Sequence, residues 1–197
     1  VVELVNKYHN VPEKLEKYAK NETFVQQKVV EPRIVIAPYN AKQIYMTSYS
    51  NTGDVYDVAN TPIVSVYNDY FGSGMNSIVF QEMREARGLA YTATAKYVNP
   101  AKKGDTYSFT TFIATQNDKM IDAVKAFDEI VNNMPQSEAA FNIAKENIIA
   151  NLRTNRILGE DVINYYLNLQ KRGLDEDLNK VLFDKVQNFT LQDVVDF

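Results

Sequence analysis

The chain predicts an α+β fold, an antiparallel sheet packed against helices, and three observations carry that expectation. Alternating and β-branched runs fall between residues 33 and 114. Helical periodicity then holds from residue 117 to the end. In the middle, a glycine-containing loop leads into a short amphipathic stretch, a further glycine and another alternating run. Strands early and helices late suit a layered domain in which helices cover one sheet.

Composition narrows the function classes. A length of 197 residues suits one domain, or one domain with a lead-in, and 45% hydrophobic residues can build a sizeable core. A net charge of -4 offers no basic field for nucleic acid. No apolar run reaches the length of a membrane span. Val1 is not a Met and opens no signal peptide, so the expectation is a fragment or a processed form. The absence of cysteine excludes disulfides, thiolate metal sites and cysteine nucleophiles without fixing the compartment; the bacterial periplasm or cytoplasm is the expectation. Zinc hydrolases need two or three histidines, and this chain has one, so no metal-ligating residue is assigned. That residue, His9, sits in His9-Asn10-Val11-Pro12-Glu13 and reads as an exposed linker histidine.

Residues 1–27 read as a charged, helical lead-in from an upstream domain, with a small stripe of Leu15, Tyr18 and Ala19 after Pro12. The half-domain proper spans 28–197. Arg33–Ala37 is a β-branched run and predicts a strand; Pro38-Tyr39-Asn40 turns the chain, and Lys42–Ser50 alternates as the next strand. Thr61-Pro62 opens a helix whose buried face is Ile63, Val66, Tyr67 and Tyr70. The loop Gly72-Ser73-Gly74 can bend sharply, with Ser73 or Asn76 placed to cap a helix from about Ser77 to Ala86. It is not a dinucleotide loop, because Ser77 stands where the third glycine belongs. Its alternatives are a helix-entry turn and a flexible rim of a peptide cleft.

Val79, Met83 and Ala86 form an apolar stripe with Phe80 beside it, and Arg84 lies at the stripe's border. Gly88 ends the helix as a left-handed cap. The strand from Leu89 to Val98 puts Tyr91, Ala93, Ala95 and Tyr97 on one face, where small residues leave room for a bound chain or for a close-packed helix. Asp105–Ala114 is a further strand. Met120, Val124, Phe127 and Val131 mark the next helix. Ser137 opens a longer one through about Ile157, with Phe141, Ala144, Ile148 and Leu152 inward. Helices follow with Val162, Tyr165, Tyr166 and Leu169, and with Leu178, Val181, Leu182 and Val186; Thr190 and Asp193 cap a last turn. The carboxylates of Asp175-Glu176-Asp177 lack calcium-site spacing and read as solvated caps.

The wording FGSGMNSIVFQEMREARGLAYTATAKY, residues 71–97, resembles the second-half domain of pitrilysin-type zinc metallopeptidases, a family that includes insulin-degrading enzymes, mitochondrial processing peptidases and respiratory-chain core proteins. Its most specific part is Arg84-Glu85-Ala86-Arg87-Gly88-Leu89-Ala90-Tyr91, and the likeness extends more weakly from about Lys28 to the C-terminus. The resemblance implies a half-domain without zinc, facing a homologous domain or subunit that carries the inverted His-x-x-Glu-His site. It also implies that Arg84 and Tyr91, seven residues apart, hold a peptide substrate across the cleft from that metal. The domain is then expected to continue past Phe197 with a closing strand. The chemistry suits these residue types: a guanidinium donates well to backbone carbonyls, and a phenol can stabilise a developing oxyanion. Arg87 is expected to make a structural ion pair. The alternative reading is a non-catalytic scaffold, like the core proteins.

Overall fold

The computed structural model describes residues 2–10, 12–14, 16–17 and 26–197; the expected stripe of Leu15, Tyr18 and Ala19 lies outside them. The expected α+β layering is present. Among the described residues three antiparallel strands, β1 (Gln43–Ser50), β2 (Thr92–Val98) and β3 (Ser108–Gln116), pair in the order β1-β3-β2. The central strand β3 aligns Ile113 with Met46 on one side and Ala93 on the other. Because side chains alternate across a strand, Met46, Ile113, Ala93 and Ala95 share the face turned to the core.

Helices cover that face. Among the described residues the helices are α1 (Val2–Tyr8), α2 (Thr61–Tyr67), α3 (Ile78–Phe80), α4 (Met120–Asn132), α5 (Glu138–Thr154), α6 (Val162–Arg172), α7 (Leu178–Val186) and α8 (Leu191–Asp196); all but α1 and α6 place residues in the core, and α1 buries none. The core joins Val66, Tyr70, Phe71, Val79 and Met83 to Ala93, Ala95 and Ile113 of the sheet, and to Phe127, Ile130, Phe141, Val186 and Val194 of the later helices. No helix among the described residues is long and apolar enough to cross a membrane.

Local chemistry explains the helix boundaries. Pro62 occupies the first turn of α2, where its missing N–H costs nothing. After Tyr67 the helix widens into a π turn over Asn68–Gly72, closed by Ser73 N–H donating to the Asn68 carbonyl at 2.8 Å. The widening lets the Asn68 amide reach β2, where it donates to the Tyr97 carbonyl and accepts from the Tyr97 N–H, both at 2.8 Å. One side chain thereby satisfies both backbone groups of an edge residue. Ser137 caps α5 by accepting from Ala140 N–H, Asp177 caps α7 through Asn179 N–H, and Thr190 with Asp193 forms a capping box on α8. Gly173 ends α6 at φ 75°.

The structure corrects several expectations. Arg33–Ala37 is not a strand: Ile34, Val35 and Ile36 are exposed, and no strand among the described residues pairs with them. β-branched residues make a strand only where a neighbour completes the ladder. The buried face of α4 is Ala123, Ala126, Phe127 and Ile130, whereas Val124 and Val131 reach solvent. Small residues let that helix close on its neighbours, and a stripe drawn through the larger side chains misses them. The expected helix with Val162, Tyr165, Tyr166 and Leu169 is α6; of these Leu169 is buried, Val162 and Tyr166 are exposed, and Tyr165 turns its hydroxyl to Asp177 at 2.6 Å.

Candidate functional site

The stretch from Gly72 to Tyr91 folds as loop, helix, bend and strand entry. Gly72 is buried, and a Cβ there would lie 2.0 Å from the Ala95 carbonyl oxygen. Only glycine lets the end of the α2 segment rest on the backbone of β2. The alanines on β2 therefore serve close packing: Ala93 and Ala95 are buried beneath the helical layer. Beyond Gly72, Ser73 is half-buried and Gly74 is exposed at φ +88°. Both line a cavity of about 90 Å³ with Asp69, Asn76 and Asn147. The Asp69 Oδ2 atom is buried there without a hydrogen-bond partner among the described residues, and burial pushes its carboxyl above the usual range.

Ser77, rather than Ser73 or Asn76, caps α3, accepting from Phe80 N–H at 3.4 Å. The helix then widens into a second π turn over Gln81–Ala86, in which Arg87 N–H reaches the Glu82 carbonyl at 3.2 Å. Gly88 takes φ +57°, and its N–H donates to the Arg84 carbonyl at 3.1 Å. The Met83 carbonyl accepts from both Leu89 and Ala90 N–H, at 2.9 and 3.2 Å. Tyr91 N–H then donates to the Ala114 carbonyl of β3 at 2.8 Å. The backbone of the bend is thus fixed at every step while the side chains beside it stay open.

Two of those side chains meet. The Arg84 guanidinium lies 5.3 Å from the centre of the Tyr91 ring and 5.1 Å from that of Phe80, so it stacks against two aromatic faces. Each such contact contributes about 0.5–1 kcal/mol at an exposed site. Arg84 keeps 43% of its side chain exposed, with one contact to Glu85 at 3.4 Å, and Tyr91 is 66% exposed. The bend therefore joins the expected pair into one solvent-facing corner. Phe80 was not assigned to the site from sequence, although its spacing of four from Arg84 on a helix is a legible signal. Arg87 is the structural arginine expected: its Nη1 meets Glu129 at 2.8 Å and its Nε meets Glu82 at 3.4 Å, tying the bend to α4.

Tyr91 borders an open depression of about 220 Å³, lined by Gln43, Tyr91, Thr115, Gln116 and Lys119 with the Gly88–Ala90 turn. Thr115 Oγ1 donates to the Leu89 carbonyl at 2.5 Å, and Lys119 Nζ to the Gly88 carbonyl at 3.1 Å. This depression and the cavity at Ser73 and Gly74 share no residue. A larger groove of about 650 Å³ is lined by rings, among them Tyr67, Phe71, Tyr97, Phe109 and Phe197, and by no charged side chain among the described residues. Among the described residues no group of three or more His, Asp or Glu could hold a metal, so the residues present do not fit a zinc centre.

Fold and corner together define a helix-covered antiparallel half-domain that offers a guanidinium and a phenol. The chain belongs to the peptidase M16 inactive-domain family, whose model matches residues 1–148. This is the zinc-free second-half domain that the resemblance implied. The fold is similar to that of the peptidase M16 inactive domain from Pseudomonas fluorescens, with a TM-score of 0.61 at 19% identity over 79% of this chain and 37% of that one. A conserved protein from Enterococcus faecalis matches at a TM-score of 0.65 and 16% identity over 99% of this chain and 46% of that one. Complex III2 from Candida albicans matches at 0.55 and 13% identity over 80% of this chain and 39% of the chain compared. This chain thus spans less than half the length of each of these three structures. No curated protein sequence matches it.

Proposed function

We propose that this half-domain holds an extended peptide against a zinc site supplied by another domain or subunit. One observation carries the reading: the bend at Gly88 brings Arg84 and Tyr91 into contact while leaving both exposed. The partner's zinc would activate water. On this side, Arg84 donates from its guanidinium to backbone carbonyl oxygens of the peptide. Tyr91 donates its O–H to the carbonyl under attack, where negative charge grows. Phe80, its ring centre 5.1 Å from the guanidinium, helps hold Arg84 beside Tyr91. Ser73 and Gly74 are the loop residues open to the peptide, while Gly72 fixes the loop to β2. Residues 1–27 would connect to the zinc-bearing domain.

The test is cleavage of a peptide by the chain assembled with its zinc-bearing domain. Tyr91→Phe is expected to lower kcat/KM by roughly 10²-fold, the effect of losing one oxyanion donor. Unchanged kcat/KM would overturn the assignment. A second reading, a scaffold without turnover, is favoured by the likeness to a chain of complex III2. An assembly that contains an intact zinc motif and cleaves no peptide would select it.

A further inference from the structure

The depression beside Tyr91 has a charge character of its own. Among the described residues Lys119 is the only charged one that lines it, and no carboxylate does. The bond from Lys119 Nζ to the Gly88 carbonyl, 3.1 Å, pins the ammonium at the rim and uses one of its three donors. Arg84, stacked 5.3 Å from the Tyr91 ring, adds a second positive group at the same corner. Of the nearby glutamates, Glu82 and Glu129 bind Arg87 at 3.4 and 2.8 Å, while Glu85 meets Arg84 at 3.4 Å and offsets part of its charge, which leaves Lys119 as the principal cation of the depression. Asp118 precedes Lys119 in the chain, is exposed, and does not line the depression. Gln43 and Gln116, register partners on β1 and β3, line the same depression with neutral amides. A depression with cationic and amide donors and no anion favours a carboxylate.

We infer that this depression is a subsite for a carboxylate of the bound peptide and that Lys119 sets the preference. The inference rests on the peptide-holding reading and adds a substrate class to it. The carboxylate has two sources, an Asp or Glu side chain next to the cleaved bond or the free end of the peptide.

The experiment uses the chain assembled with its zinc-bearing domain and peptides that differ only in Glu, Gln or Lys at one position near the scissile bond, each with a free or amidated C-terminus. A Glu-over-Gln ratio in kcat/KM of about tenfold is expected, the worth of one hydrogen bond to a charged group. A free-acid-over-amide ratio of that size would place the chain end in the same subsite. Lys119→Arg should keep the preference, Lys119→Gln should erase it, and Lys119→Glu should turn it toward the Lys peptide. Thermal midpoints of all three variants show that the ratios come from folded protein. Equal rates in both arms, or a preference that survives Lys119→Gln, would overturn the inference. Tyr91→Phe separates it from the reading beneath: if Tyr91→Phe lowers every rate while Glu and Gln peptides remain equal, the subsite alone fails. If Tyr91→Phe changes nothing, or no peptide is cleaved, the peptide-holding reading fails and takes the subsite with it.

Discussion

Two glycine turns bracket the helix that carries Arg84, and they use the same residue for opposite reasons. At Gly72 the backbone is buried and the limit is space, because a Cβ would meet the Ala95 carbonyl oxygen at 2.0 Å. At Gly88 no atom lies within 4 Å of the added Cβ, and the limit is the backbone angle, φ +57°. The neighbouring tyrosines follow the same division. Tyr70 is fully buried, donating to the Pro135 carbonyl at 2.8 Å and accepting from Ser137 N–H at 3.1 Å. Tyr91 is 66% exposed and stacks on an arginine. The difference teaches which end of the segment builds the fold and which end is available for chemistry.

Substitutions can break or sharpen that division. The largest effect is expected for Gly72→Ala. The atom in the way is backbone, which cannot rotate aside, so the cost should reach the upper range of overpacking, about 3 kcal/mol or more, in a chemical denaturation experiment. A mild effect, equal to that at Gly88, would dissolve the distinction between the two turns. Tyr70→Phe comes next. It strands the Ser137 N–H and the Pro135 carbonyl at the entry to α5, at about 1–3 kcal/mol, read as a lowered thermal midpoint. Gly88→Ala should cost about 1 kcal/mol, from strain at positive φ alone, with no change in the slope of the denaturation curve. A neutral result there would mean that the bend relaxes out of the left-handed region.

The segment around this helix was the most legible part of the chain. Helix, left-handed Gly88 and strand follow from spacing and from the special needs of glycine, and the caps at Ser137 and Thr190 follow from side-chain chemistry. Ser77 displaced Ser73 and Asn76 as the cap because the chain enters α3 one residue before Ile78, a boundary no propensity fixes. The exposed run at Ile34–Ile36 shows the limit of β propensity, which counts residue type and not partners. The approach of Gly72 to Ala95 depends on tertiary contact, and the same holds for Lys119 at the Gly88 carbonyl, which lies 31 positions away in sequence and is brought there by the pairing of β3 with β2. Nothing local marks either one.

The smallest expected change in stability belongs to Tyr91→Phe, at the corner proposed to hold the peptide, and one measurement there tests the central claim. A double-mutant cycle of Arg84→Ala and Tyr91→Phe, in the assembly with the zinc-bearing domain, should be read for unfolding free energy and for kcat/KM on the same samples. Tyr91→Phe, which keeps the ring, should leave stability within about 0.5 kcal/mol of the parent, whereas Arg84→Ala, which removes both ring contacts, should cost about 1–2 kcal/mol. Tyr91→Phe should lose roughly 10²-fold in kcat/KM, and the double variant should lose less than the product of the singles, because residues in contact on one substrate are coupled. The contrary result is a loss of stability with turnover per folded molecule intact, which would make the Arg84–Tyr91 stack part of the fold and not a clamp on a peptide.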